Sequence, residues 1–159
     1  MVKLELQIKA ELTNVTDLKP ASTDHCWYFK IQCSSCREVD KNMISISAED
    51  AGQISGSRGG ANLVMRCKFC KREGAASIVG NPEPYKEENS GSFAKVLVIE
   101  CRGLEPVEFE PRDGWTAKST ESNDVFDIDL TEGEWYDYDE NAGVEVSVTE
   151  IESRFTRSN

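Results

Sequence analysis

The chain has 159 residues, 38% hydrophobic, 30% charged and 8% aromatic, with a formal net charge of −11. No run of about 18 apolar residues occurs, which excludes a transmembrane helix, and the acidic balance argues against attraction to nucleic acid or an anionic membrane. The N-terminal residues alternate charge with apolar side chains instead of forming an apolar signal core, and the C-terminus carries no prenylation or retention signal. The expectation is a soluble, cytoplasmic monomer whose partners are proteins, with nothing in the sequence that bars the nucleus.

Leu4, Leu6, Ile8, Ala10 and Leu12 alternate with Lys3, Glu5, Gln7, Lys9 and Glu11. That is period two and predicts a half-buried strand. Residues 26–32, rich in aromatic and branched side chains, run as a second strand into the first cysteine pair. His25, the only histidine, precedes that strand and is expected to be exposed or hydrogen-bonded. Adjacent strand residues face opposite ways, so His25 and Cys26 do not make a nucleophilic pair. Further strands are expected over 43–47, 62–66, 75–79, 94–101, 125–130 and 144–151, with a short helical turn over 49–54. Turn signals separate them, among them Ser55-Gly56-Ser57-Arg58-Gly59-Gly60, which lacks the ending of a phosphate-binding loop and is expected to be a mobile hairpin connection.

The stretch 82–92 reads as a linker or long loop. Setting Glu11 against Glu100 aligns Ile8 with Leu97, Ala10 with Ile99, Leu12 with Cys101, Val15 with Leu104 and Leu18 with Val107. Internal duplication explains this match, and so do two independent strands followed by similar turns. Charge divides the chain unevenly: residues 104–159 hold 16 acids and 4 bases, the first 103 hold 13 acids and 14 bases. The fold expected is all-β with two packed subregions, barrel- or sandwich-like. Residues 1–88 form a metal-binding β unit and residues 89–159 an acidic, metal-free one.

Four of the six cysteines fall into two C-x-x-C pairs, Cys33/Cys36 and Cys67/Cys70. Each such turn points two sulfurs to one side of a tight knuckle, and two facing knuckles supply four thiolates near 2.3 Å from a Zn²⁺ ion. Each pair follows a strand-like run, as in a zinc ribbon. The 30-residue spacer between Cys36 and Cys67 is long for a ribbon, but closing a longer loop costs little more. Arg37, Lys41, Arg66, Lys68, Lys71 and Arg72 crowd the knuckles and favour the thiolate form that metal requires. One Zn²⁺ per chain is therefore expected. A rubredoxin-like iron site satisfies the same geometry, and two redox dithiols use the same residues. Cys26 and Cys101, in apolar surroundings, read as small buried hydrophobes.

Beyond the cysteines the chain resembles the eukaryotic CXXC-motif-containing zinc-binding protein family. The resemblance rests on Asn14-Val15-Thr16-Asp17-Leu18-Lys19-Pro20, Trp27-Tyr28-Phe29-Lys30, Gly59-Gly60-Ala61-Asn62-Leu63-Val64 and Cys67-Lys68-Phe69-Cys70-Lys71-Arg72-Glu73. It continues through Cys101-Arg102-Gly103-Leu104-Glu105-Pro106-Val107 and Trp135-Tyr136-Asp137-Tyr138-Asp139-Glu140. It implies an all-β protein with one zinc on the four named cysteines, and it implies no reaction. Arg37 stands where the family usually has glycine, which leaves that turn less relaxed.

Two other stretches carry chemistry. Arg102 is expected to pair with one of the many acids while Gly103 supplies a positive φ. The run 132–140 mixes carboxylates with Trp135, Tyr136 and Tyr138; the aromatics are expected to cover the core while the acids solvate. The function these features imply is a structural zinc module for protein–protein contact without catalysis. Metal handling (zinc or copper) or thiol redox chemistry on the same cysteines is the alternative.

Overall fold

The computed structural model describes residues 2–53 and 60–158. Among the described residues, fourteen strands and one short 3₁₀ turn, Glu87–Asn89, make up the regular structure. Among the described residues no helix is long and apolar enough to cross a membrane.

The alternation at the N-terminus dictates the centre of the molecule. Strand β1 (Val2–Thr13) buries Leu4, Leu6, Ile8 and Ala10 on one face. It runs antiparallel between β9 (Ala94–Arg102) and β14 (Val144–Arg157). With β7 (Leu63–Arg66), β8 (Glu73–Val79) and β13 (Trp135–Asp139) these form a six-stranded sheet of order β13-β14-β1-β9-β8-β7. Residues 2–88 and 89–158 are thus mixed within one sheet.

Two three-stranded sheets complete the core. One has the order β10-β3-β4, from Leu104–Glu110, Trp27–Cys33 and Ile44–Ile46. The other has the order β12-β11-β2, from Val125–Ile128, Trp115–Ser119 and Val15–Pro20. Leu6, Ile99, Phe29, Trp27, Trp115 and Ile128 from all three sheets meet in one buried cluster. Burying each such side chain contributes roughly 1.5–3 kcal/mol.

The two halves repeat each other pair for pair. β10 meets β3 as Leu104↔Cys33, Glu105↔Gln32 and Glu108↔Lys30. β2 meets β11 as Val15↔Ser119, Thr16↔Lys118 and Lys19↔Thr116, with a register shift at the same step. Likewise β8 meets β9 as Ala75↔Arg102 and Ala76↔Cys101, while β14 meets β1 as Ser147↔Thr13 and Val148↔Leu12. The β1–β2 corner turns on Asn14 (φ 57°) and the β9–β10 corner on Gly103 (φ 76°). These two residues are partners in the Glu11-to-Glu100 alignment. The alignment therefore marks two β units of matching backbone, and not merely two strands followed by similar turns.

Several expectations are corrected. Strands β2, β10, β11 and β13 lie outside the expected list, and β14 runs six residues past 151 to Arg157. Residues 48–49 form a turn, with Asp50 N–H donating to the Ser47 carbonyl, and Gly52–Gln53 is a short strand (β5) paired with Gly60–Ala61 (β6), so no helix forms there. Residue 54 of the expected helical turn and residues 55–59 of the expected mobile connection Ser55–Gly60 lie outside the described residues. The stretch 82–92 is a pinned loop. Tyr85 is fully buried, exchanges two backbone hydrogen bonds with Leu18, and its hydroxyl accepts the Ala10 N–H at 3.1 Å.

Candidate metal centre

The two cysteine pairs sit at the tips of two hairpin-like turns. The first closes β3 and leads toward β4. Cys33 N–H donates to the Glu38 carbonyl and Arg37 N–H to the Cys33 carbonyl, both at 2.9 Å. The second joins β7 to β8 with the same pattern: Cys67 N–H to Arg72 O at 2.9 Å, and Lys71 N–H to Cys67 O at 3.1 Å. Both turns need a left-handed residue just after the second cysteine, Arg37 (φ 69°) and Lys71 (φ 66°). Neither is glycine, so each turn stores local strain. That is the physical content of the departure at Arg37.

A third turn holds the first knuckle in place. Ser34 N–H donates to the Gly103 carbonyl at 3.1 Å. A Cβ on Gly103 would lie 3.0 Å from the Glu73 carbonyl oxygen, so only glycine combines this φ with such close approach to β8.

All four Sγ atoms lie within 4.8 Å of one another. Two approaches cross between knuckles: Cys33 to Cys70 and Cys36 to Cys67, each 3.6 Å. A disulfide would need about 2.05 Å. Tetrahedral thiolates at 2.3 Å from a zinc ion stand roughly 3.8 Å apart, which is the spacing seen. Cys33 is buried and the other three are half-buried. The donor set, four soft sulfurs and nothing else, fits Zn²⁺ and closes its coordination sphere.

The surroundings favour thiolates. N–H groups of Cys36 and Ser35 pull Cys33 down to about 6 against the cost of its burial. Cys67 is likewise lowered, by the N–H groups of Cys70 and Phe69. Cys36, although the Glu38 N–H acts to lower it, is pushed up to about 12 by burial and its thiol neighbours. The surroundings thus favour the thiolate at Cys33 and Cys67, and a bound cation would allow Cys36 to follow.

The basic rim is used structurally in part. Arg66 Nη1 donates to the Lys71 carbonyl and Lys71 Nζ to the Lys68 carbonyl, both at 2.8 Å, so the cations lock the second knuckle. Lys68 pairs with Asp40 at 3.6 Å across the knuckles. Phe69 projects from the tip, 57% exposed.

Other expectations fare unevenly. Cys101 is buried, its thiol pushed up to about 12 chiefly by burial, whereas Cys26 is exposed because His25 takes the inward position beside it. His25 packs edge-on against Trp27 and Trp115, with ring centroids at 5.0 and 4.9 Å. Gly103 has its positive φ, but Arg102 is exposed and makes no ion pair among the described residues. In 132–140 only Trp135 turns toward other apolar groups, meeting Phe126 at 5.7 Å. Tyr136 and Tyr138, one step out of phase on an edge strand, are 64% and 50% exposed. Asp139, expected to be solvated, is buried.

An all-β chain with two facing cysteine knuckles at metal-binding distance defines a zinc-knuckle protein of the C-x-x-C class. The chain belongs to the family described as CXXC motif containing zinc binding protein, eukaryotic, which it matches over residues 5–156. It is 42% identical to the CXXC motif containing zinc binding protein of Xenopus laevis, over 99% of both chains. It is 47% identical to a UPF0587 protein of Schizosaccharomyces pombe, over 96% of each. Its fold matches the crystal structure titled C1orf123 with a TM-score of 0.93 at 39% identity, covering 98% of this chain and 99% of that one. A hypothetical protein from Plasmodium falciparum matches with a TM-score of 0.87 at 26% identity, covering 98% and 100%.

Proposed function

We propose that Cys33, Cys36, Cys67 and Cys70 hold one Zn²⁺ per chain as a structural brace, and that the protein acts through contact with other proteins without catalysis. The observation that carries this is the closed set of four sulfurs. A fourth thiolate occupies the position that a catalytic zinc keeps open for water. Two surfaces suit a protein partner. One is the knuckle tip, where Phe69 stands among Lys68, Lys71 and Arg72; the other is the acidic edge around Tyr136 and Tyr138. An aromatic knob ringed by cations fits an acidic partner surface.

Metal analysis of untagged protein tests the brace: one zinc per chain is expected, together with a monomeric mass and a cytoplasmic distribution. Cys67→Ser should lose both the zinc and cooperative unfolding. A Cys67→Ser protein that unfolds as cooperatively as the parent overturns the structural role. The half-burial of Cys36, Cys67 and Cys70 favours one alternative, a site that hands metal on or oxidises reversibly. Rapid transfer of zinc from the native protein to a chromophoric chelator would support that alternative against the brace.

A further inference from the structure

The internal repeat has a consequence at the end of the acidic half. The turn after β11 is the counterpart of the first cysteine knuckle, and the β13–β14 turn is the counterpart of the second. Cys33 corresponds to Ser119, because Leu104 faces the one and Val15 the other in matching registers. The backbone agrees in each detail. Ser119 N–H donates to Asp124 O at 2.7 Å and Asn123 N–H to Ser119 O at 3.2 Å, with Asn123 left-handed at φ 66°. Thr120 N–H donates to Asn14 O at 3.0 Å, as Ser34 donates to Gly103. In the other turn Gly143 N–H donates to Asp139 O at 2.7 Å, with Gly143 at φ 71°. C-x-x-C at 33–36 therefore matches S-x-x-S at 119–122, while Cys67 and Cys70 match Asp139 and Ala142.

We propose that Ser119, Ser122 and Asp139 form a metal-free counterpart of the zinc centre, in which one buried carboxylate braces two knuckles through hydrogen bonds. Asp139 Oδ2 accepts from both serine hydroxyls, each at 2.5 Å, and its Oδ1 accepts the Ala142 N–H at 3.1 Å. Ser119 Oγ also accepts the N–H groups of Glu121 and Ser122, both at 3.1 Å. Ser119 and Asp139 are 0% and 1% exposed. Hydroxyls and an amide N–H group satisfy the carboxylate, which makes no ion pair among the described residues, as charge-assisted hydrogen bonds can. One half of the molecule is closed by a cation among anions, the other by an anion among donors.

The proposal rests on reading the first knuckle pair as a zinc brace, and the test separates the two. The full chain carrying Ser119→Cys, Ser122→Cys, Asp139→Cys and Ala142→Cys, produced with zinc, should hold two zinc ions per chain, against one for the parent. Its cobalt-substituted form should show the tetrahedral thiolate bands at twice the parent amplitude. A folded protein with zinc still at one per chain overturns the equivalence. Asp139→Ala in the native background tests the brace even where the fourfold variant does not fold. It should lower Tm by roughly 6–12 °C with zinc content unchanged, on the scale expected for losing two hydrogen bonds to a buried charged group. An unaltered Tm overturns it. A parent without zinc would remove the reading of the first site, while the Asp139→Ala result would still decide the second.

Discussion

Arg37 occupies a left-handed position at φ 69°, where a Cβ costs energy and glycine does not. Its side chain is exposed and its carbonyl, which accepts Gln32 Nε2 at 3.0 Å, survives substitution. Arg37→Gly is therefore expected to stabilise the protein by about 0.5–1 kcal/mol, raising Tm by roughly 2 °C with zinc content unchanged. A lower Tm would show that the guanidinium has a role the backbone does not explain. His25 makes a second residue-scale prediction. Burial between two indoles lowers its pKa, only partly opposed by its hydrogen bond to Gly114 and by Asp113 and Asp24. The unfolded chain then binds the proton more readily, so stability should fall as pH drops through the ordinary histidine value near 6.5. The imidazole signal in NMR should titrate below that value, and His25→Phe should flatten the slope. Asp139 acts in the same direction at lower pH: hydrogen bonds from Ser119 and Ser122 lower its pKa. Its contribution is present above the ordinary carboxylate value and is lost as pH falls through the lowered one. Denaturation monitored below pH ~4 should be steeper for the parent than for Asp139→Asn.

At the scale of elements, the loop 82–93 behaves as part of the core because of one hydroxyl. Tyr85 Oη receives the Ala10 N–H and lies 2.6 and 2.7 Å from the carbonyls of Asn89 and Ser92. Tyr85→Phe leaves a buried N–H without its partner, a cost of about 1–3 kcal/mol. Hydrogen exchange at Ala10 should accelerate while that of β11 is unaffected. This loop also shows where sequence reading stops. Its Pro, Glu, Asn and Ser content is that of a linker, and a single tyrosine gives no periodicity to reveal burial. Strands β1, β3 and β9 were legible because alternation or apolar density marks them. Strands β2, β10 and β13 were not: Leu104–Glu110 contains proline and three glutamates, and only its register against β3 makes it a strand. The cysteine centre was legible from spacing alone. Its counterpart was not, since an aspartate in an acidic run reads as solvated. The one available signal was the alignment of Glu11 with Glu100: its structural continuation sets Ser119 and Ser122 opposite Cys33 and Cys36.

For the whole molecule, charge and repeat run against each other. Two halves of matching backbone carry opposite surface character, a basic rim at the thiolate knuckles and an acidic rim at the carboxylate one. Salt should therefore affect contact at the two ends in the same direction but with partners of opposite sign, each screened within about 8 Å at physiological ionic strength. The halves share one sheet and one core, so removal of zinc should destabilise the chain as a unit. Chelation of the parent is expected to lower Tm in a single transition, followed by circular dichroism and tryptophan fluorescence together. Two separated transitions would show that the halves unfold independently.

Strand β1 lies between β9 and β14, and this has a bearing on biosynthesis. At roughly 5–20 residues per second, β1 is complete about 4–16 s before β9 begins at Ala94 and about 7–26 s before β14 begins at Val144. During that interval a strand with Leu4, Leu6, Ile8 and Ala10 along one face has neither neighbour. Such a segment invites pairing with another nascent chain. Lys3, Glu5, Lys9 and Glu11 place charge on the opposite face, the kind of residue that discourages such pairing.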